Sequence, residues 1–486
     1  MLYQSTRCAG LTASPAEAVL QGLAPDGGLF VPSSLPRLTP AELEGLDPYA
    51  LSARVLGALL PELDGMDELV RHAYEGRFSA PDLTPLRPVG DRWVLELWHG
   101  PTSAFKDVAL CLLPRLMLRA KKQLGDDTLT HVLTATSGDT GKAALSGFQD
   151  VPGTKITVFY PEDGVSAMQK AQMVTQAGEN VRVCGVRGNF DDAQSGVKAI
   201  FSAWAADPAQ RQSGVKLSSA NSINIGRLAP QVVYYYKAYL DLCRMGRIRM
   251  GEPLDFTVPT GNFGDILAGF LAGQMGLPVG RLVCASNENN VLTDFFQTGV
   301  YDRRRPFHKT LSPSMDILIS SNLERLLWLM TRDEAKVAQW MRELAETGRY
   351  DVGEALRRAL DARFAAGWAD DEAALSAMGR LWRAHGYLAD THTAVAWAVS
   401  EQIAPQGKTE RPMVVLSTAS AYKFPQAALK ALGLRPAETD FDALWALHDA
   451  TVVPVPSGLA ALQGLPVRHR DVIAPGEMAD YVARQG

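Results

Sequence analysis

With 486 residues, 47% of them hydrophobic and 21% charged, and a formal net charge of −5, the chain has the composition of an ordinary globular protein and, at about 150 residues per domain, the length for roughly three folded units. No run of lysine and arginine is long enough for a nucleic-acid or membrane-surface footprint, and the densest, "YDRRRPF" at 301–307, reads as a solvated turn. The 5 cysteines are scattered without a C-x-x-C pair, which argues against a disulfide framework or a cysteine-rich zinc site. No apolar leader is evident and no apolar run nears the roughly 18 residues of a membrane span, so a cytoplasmic protein with reduced thiols is expected.

Residues 1–90 read as a small, mainly helical lead-in domain that ends in the proline-rich link "FSAPDLTPLRPVG". From residue 92 short apolar runs ("RWVLEL", "THVLTAT", "KITVFYP", "VRVCGV", "DFTVPT", "RLVCAS", "RPMVVLST") alternate with helical stretches such as "GKAALSGFQ" and "LAPQVVYYYKAYLDLCR". Unalternating strands, each followed by a helix, predict parallel sheets covered on both faces, an α/β design whose ligands bind at the carboxyl ends of the strands. The predicted division is 1–90, 91–250, 251–435 with a helical insertion at 322–402, and a tail at 436–486 packed on the body.

Five stretches carry chemistry. In "WHGPTSAFKD" (98–107) Thr102 or Ser103 can cap a helix beginning near Ala104, which puts Lys106 in its first turn. The positive end of the helix dipole and apolar neighbours both lower an amine's pKa, so Lys106 is a candidate nucleophile or Schiff-base former. The same stretch also suits a lysine that snorkels outward or pairs with Asp107. In "TATSGDTGKAAL" a strand opens into a helix, but Thr136 and Ala143 occupy positions that a Walker A loop reserves for glycine and a hydroxyl residue. Ser137, Gly138 and Thr140 there would suit a carboxylate or phosphate, with Asp139 as an unexpected acid among them.

"SSANSINIGRLAPQVVYYY" gathers Asn221, Ser222, Asn224 and Arg227 before an apolar helix, the makings of an oxyanion cup or of a capped helix start. "TVPTGNFGDILAGFLAG" is a strand, a glycine turn at Gly261 to Gly264, and a helix whose first N–H groups attract phosphate, or else a simple strand-to-helix turn. "VVLSTASAYKFP" ends a strand with Ser417 and Thr418. The histidines and acids show no metal-ligand spacing, so no catalytic metal is expected.

Taken together, these stretches resemble the longer branch of the threonine synthase family. "STRC", "GLAPDGGLFVP", "LWHGPTSAFKD", "TATSGDTG", "SSANSINIGRL", "PTGNFGD", "PSMDILISSNLERL", "GYLADTHTAVA" and "STASAYKF" follow the family's order over nearly the whole chain. The resemblance implies the β-family (fold type II) of pyridoxal-phosphate enzymes, shared with serine dehydratases and the tryptophan synthase β subunit. It implies pyridoxal 5'-phosphate as cofactor with Lys106 as its Schiff-base lysine, and Gly261, Asn262, Phe263, Gly264 and Asp265 around the cofactor phosphate. Thr418 then faces the pyridine nitrogen. Ser137, Gly138, Asp139 and Thr140 match a loop that holds the substrate carboxylate, and Asn221, Ser222, Asn224 and Arg227 match the region gripping a substrate phosphate.

Two features stand apart from the pattern. Many relatives in the wider fold have asparagine at the position of Asp139, and the "TAHPAKF" motif reads "TASAYKF" here, which leaves the role of Ser420 to Lys423 open. The implied reaction converts O-phospho-L-homoserine and water to L-threonine and phosphate, in a monomer or homodimer. The alternatives are a serine or threonine dehydratase-like lyase and a non-catalytic phosphate-ligand binding relative. A serine hydrolase built on the S-x-x-K of Ser103 and Lys106 lacks the accompanying S-D-N and K-T-G motifs.

Overall fold

The apolar runs form two sheets because their residues are buried on both faces and demand cover on both. In the computed structural model, which describes residues 1–136, 138–207, 214–405, 407 and 411–485, one sheet has 5 parallel strands in the order Asp471–Ile473, Val181–Val186, Thr154–Pro161, Leu129–Ala135, Val215–Ser218. Neighbouring residues of one strand feed separate cores: Val132 packs with Ala143 and Ala144 of the Asp139–Phe148 helix, while Leu133 and Ala135 pack with Ala193 and Val197 of the Phe190–Ala206 helix. That alternation puts one helix on each face.

The second sheet has 6 strands in the order Phe364–Trp368, Val279–Ser286, Leu254–Pro259, Met413–Ser417, Arg92–Glu96, Leu86–Val89. All pair in parallel except the last, an antiparallel edge strand. The helices Ile225–Arg244 and Gly264–Met275 pack together on one side, and Thr391–Ile403 covers the other.

One boundary and the make-up of two segments differ from the sequence expectation. Leu86–Val89 and Arg92–Glu96 form a hairpin across the division at 90, and both belong to the sheet otherwise built from 254–417, so the 91–250 interval serves both sheets. The 322–402 insertion is not wholly helical, since it supplies the edge strand Phe364–Trp368. The lead-in adds a 3-stranded antiparallel sheet (Tyr3–Ser5, Thr12–Ala13, Phe30–Pro32) to its helices. At the other end the tail's strand Asp471–Ile473 covers an edge of the first sheet. No helix among the described residues is long and apolar enough to cross a membrane.

Backbone bonds fix the loop before Lys106 to the end of the Met413–Ser417 strand: Leu97 N donates to Ser417 O at 2.9 Å, Phe105 N to Thr418 O at 2.8 Å, and Ser420 N to Ser103 O at 3.1 Å. Lys106 then begins the short helix Lys106–Leu110, against which the Asp139–Phe148 helix packs closely at Gly147. A Cβ on Gly147 would lie 2.0 Å from Leu110 O, and backbone cannot swing aside as a flexible side chain could. Gly147→Ala is therefore expected to destabilise the fold by about 1–3 kcal/mol or more and to force apart the two helices that carry Lys106 and Asp139. Urea denaturation checks this, and an unchanged midpoint would show that the crossing is looser than described.

Candidate active site

A cavity of about 690 Å³ opens where the two sheets meet, lined by Lys106, Asp139, Thr140, Arg227, Ser314 and Thr418 among others. The expected Thr102 or Ser103 cap does not form. Instead the chain folds back so that the Asp107 carboxylate accepts the Thr102 N–H at 2.8 Å and its hydroxyl at 2.6 Å, while Ser103 takes a positive φ of 61°. With Asp107 so engaged, Lys106 turns the other way. Its Nζ lies 3.5 Å from Asp139 Oδ2, 3.4 Å from Ser314 Oγ and 4.7 Å from the centre of the Phe105 ring. Burial pushes this amine down to about 8, against the opposing pull of Asp139, and the Arg227 and Lys423 charges act with burial.

Asp139 is shared. Its Oδ1 accepts Lys423 Nζ at 2.6 Å and Gln169 Nε2 at 3.0 Å, while Oδ2 faces Lys106 and the Ser314 hydroxyl at 3.4 Å. Burial alone would raise this carboxyl, but the two lysines and the hydrogen bonds hold it well below the usual carboxylate range.

The turn after the Leu254–Pro259 strand brings Gly261, Asn262, Phe263, Gly264 and Asp265 to the cavity wall. Phe263 adopts a left-handed φ of 62°, and a Cβ at Gly261 would come within 2.6 Å of Ser314 O, so the loop lies tight against that neighbour. Asn322 fastens the loop through both its N–H and its side-chain amide to Asn262 O, at 3.1 and 3.0 Å. The first N–H groups of the Gly264–Met275 helix have no intrahelical acceptor and favour an anion. Asp265 stands beside them with Oδ1 accepting Tyr234 and Tyr235 hydroxyls at 2.6 and 2.9 Å and Oδ2 buried without a partner. Burial lifts this carboxyl to about 6, against the tyrosine hydrogen bonds and the Lys106 charge.

Deeper in the same cavity Arg227 is 5% exposed, donating to Ala220 O at 2.9 Å and Thr140 Oγ1 at 3.4 Å. Its Nε has no partner, no carboxylate among the described residues lies within ion-pair distance, and burial lowers the guanidinium to about 10. Asn221 and Ser222 line the cavity beside it.

Two expected residues do not reach the cavity. Asn224 caps the Ile225–Arg244 helix by accepting Gly226 N at 2.9 Å and donates its amide to Val19 O and Ser219 O, so its side chain is spent on backbone. Gly138 lies behind the wall against Gln169, whose side chain a Cβ would approach to 2.3 Å. Ser137 lies outside the described residues. Of the two hydroxyls ending the Met413–Ser417 strand, only Thr418 faces the cavity, because Ser417 accepts from Trp98 Nε1, the Tyr387 hydroxyl and the Thr393 hydroxyl.

Two residues not singled out from the sequence, Ser314 and His392, belong to this centre, as does Lys423, the end of the Ser420 to Lys423 turn whose role the sequence left open. His392 Nε2 accepts the Ser314 N–H at 3.1 Å and its Nδ1 lies 2.7 Å from Asp390 Oδ2, an arrangement that requires the proton on Nδ1. The available signal was Asp390 before an apolar helix, which caps Thr391–Ile403 and fixes His392 in the first turn.

Residues 80–367 match the family model described as pyridoxal-phosphate dependent enzyme, which with the parallel sheets and buried lysine defines the class of protein. Residues 2–74 match the model for the threonine synthase N terminus and residues 393–474 that for the threonine synthase C-terminal region. The human protein threonine synthase-like 1 is 40% identical over 458 residues, 90% of this chain but 61% of that protein, so the chain spans under two thirds of that relative. Threonine synthase of Pseudomonas aeruginosa is 38% identical over 484 residues, covering 96% of this chain and 98% of its own length. The crystal structure of PLP-bound threonine synthase from Brucella melitensis superimposes with a TM-score of 0.86 at 36% identity, over 100% of this chain and 99% of that one. The chain belongs to the threonine synthase family.

The residues present fit that family's cofactor. A buried amine lowered toward neutrality suits a Schiff base, the tight Gly261–Gly264 turn leaves helix-start N–H groups for a phosphate, and Thr418 lines the same cavity with a neutral hydroxyl, a group that would suit a ring nitrogen.

The Lys106 environment has a measurable pH signature. Its amine falls from 10.5 unfolded to about 8 folded, so below pH 8 the fold carries a charge-burial penalty. Between pH 8 and 10.5 the native state binds fewer protons than the unfolded state, and stability rises with pH. Lys106→Met should then stabilise the cofactor-free chain at pH 7 by up to roughly 3 kcal/mol, with the advantage fading toward pH 10.5. Urea denaturation at both ends of the range checks this; a variant less stable at pH 7 would contradict it.

Proposed function

We propose that this chain converts O-phospho-L-homoserine and water to L-threonine and inorganic phosphate, with pyridoxal phosphate carried on Lys106. The observation that carries the reading is the buried, acid-free Arg227 beside Thr140 in the same cavity as the lysine. Together with the glycine loop it makes two separate places for an anion. Beyond a place for the substrate carboxylate, a lyase acting on serine or threonine needs only the one that holds the cofactor phosphate; a substrate that itself bears a phosphate needs both.

Bound there, pyridoxal phosphate supplies an electron sink that acidifies the Cα and Cβ hydrogens of an attached amino acid. The chain's own groups do the rest. Lys106 Nζ takes and returns the protons at Cα and Cβ, and an amine near neutrality can serve in both directions. The Gly261 to Asp265 turn holds the cofactor phosphate through its backbone N–H groups, Thr418 faces the pyridine nitrogen, and Thr140 receives the substrate carboxylate. Arg227, Asn221 and Ser222 grip the substrate phosphate, fix the leaving group and keep water away until it has departed. A small-molecule substrate in a cytoplasmic enzyme completes the proposal, and the unpaired state of all 5 cysteines suits that compartment.

Two variants test it. Lys106→Ala should lower turnover at least 1,000-fold, on the order of a lost general base and nucleophile, and remove the absorbance of lysine-bound cofactor. Arg227→Ala should raise KM for O-phospho-L-homoserine by roughly tenfold to a hundredfold, equivalent to a lost charged hydrogen bond, with cofactor affinity little changed. Equal losses of substrate and cofactor affinity in Arg227→Ala would show that the guanidinium does not hold the substrate phosphate.

A further inference from the structure

The turn Ser420 to Lys423 ends in a fully buried lysine that lines no part of the cavity. Lys423 Nζ donates to Asp139 Oδ1 at 2.6 Å and to Thr102 O at 3.1 Å, so it ties the Asp139 helix to the loop that precedes Lys106. Two lysines therefore share one buried carboxylate, and they share it unequally. Oδ1 is occupied by Lys423 and Gln169 at hydrogen-bonding distance, whereas Lys106 reaches only the other oxygen at 3.5 Å.

We propose that Lys423 is the standing counter-ion of Asp139, and that by occupying this carboxylate it leaves the Lys106 amine free to shed its proton. Lys423 is thus a positioning residue that acts through Asp139. An unshared carboxylate beside Lys106 would fix the amine as an ammonium ion, which can neither attack a carbonyl nor accept a proton. A site without any carboxylate would lose the group that orients Nζ. The three-membered Lys–Asp–Lys arrangement keeps the orientation while spending the negative charge elsewhere.

The other charges around the amine do not supply this balance. Lys106 is faced by Arg227 from the Ile225–Arg244 helix and by Asp265 from the Gly264–Met275 helix. Ser314, the remaining contact, is uncharged and holds both Nζ and Asp139 Oδ2. On its far side Lys423 is near Asp107 and Lys142, of opposite sign to each other. Its replacement by an apolar side chain therefore removes a positive charge from Asp139 that no neighbour restores.

The inference rests on Lys106 being the reacting amine, and its test needs no turnover. In the full-length chain freed of cofactor, the rate of Lys106 acetylation by acetic anhydride is followed against pH by peptide mass spectrometry. In Lys423→Met the midpoint should rise, leaving Lys106 at least tenfold less reactive at pH 7.5 than in the wild type, while Lys423→Arg stays within about twofold. Wild-type labelling in Lys423→Met would overturn the proposal. Should that variant fail to fold, the double variant Lys423→Met/Asp139→Asn removes both charges together and should label Lys106 at least as fast as the wild type. Slower labelling in the double variant would equally overturn it. Absence of threonine formation in the wild type would defeat the proposed reaction while leaving the labelling result standing.

Discussion

An ammonium group withdrawn from water loses hydration that few protein contacts replace, and Lys106, 8% exposed at the foot of a cavity, is such a group. Much of the surrounding architecture can be understood as holding that amine in place without neutralising its reactivity. The loop before it is bonded through backbone to the Met413–Ser417 strand end, the neighbouring Asp107 is turned away to bind Thr102, and the helix bearing Asp139 is held close by the absence of a side chain at Gly147. Each of these is a packing or hydrogen-bond decision made outside the cavity. Their joint effect is a lysine with one distant carboxylate, one hydroxyl and one aromatic face as its company.

The parallel topology explains why the remaining groups converge there. The turns after Leu129–Ala135, Leu254–Pro259, Met413–Ser417 and Arg92–Glu96 all leave the carboxyl ends of parallel strands, and they supply Asp139 and Thr140, the glycine loop, Thr418 and Lys106 respectively. Ligands in open α/β sheets bind at those ends. Here two sheets contribute, and the polar loop at 308–316 reaches residues that follow a strand of each, Asn287 and Asp139. Asp316 accepts from Asn287, Asn289 and Thr310, which fixes the loop so that Ser314 meets both Lys106 and His392. The polar cluster is thus a scaffold for one serine.

The sequence was most legible where chemistry is local. Runs such as "VRVCGV" become strands with the expected bounds because a strand covered on both faces must be largely apolar, here with only Arg182 half-buried. "LRPV" at 86–89 did not read as a strand, since its proline removes a ladder donor and only its two end residues are buried, features an edge strand tolerates. "FAAGW" at 364–368 was lost among helical neighbours because alanine and glycine carry little strand signal. In the site, the glycine loop and Lys106 declare themselves by local spacing. Asn224 was misplaced because an anion cup and a helix cap share one composition, and here the cap takes the side chain. Ser314, His392 and Lys423 gain their meaning only from partners 78 to more than 200 residues away, which no window along the chain can contain.

The fate of the phosphate and carbon skeleton of O-phospho-L-homoserine tests the proposed reaction most directly. The deciding measurement quantifies threonine and free phosphate together after the purified chain is loaded with pyridoxal phosphate and given O-phospho-L-homoserine. Equal amounts of the two, absent without the cofactor, are predicted if the glycine loop takes one phosphate and Arg227 the other. Phosphate released with a 2-oxo acid in place of threonine, or no reaction in a chain that nonetheless binds the cofactor on Lys106, would contradict it.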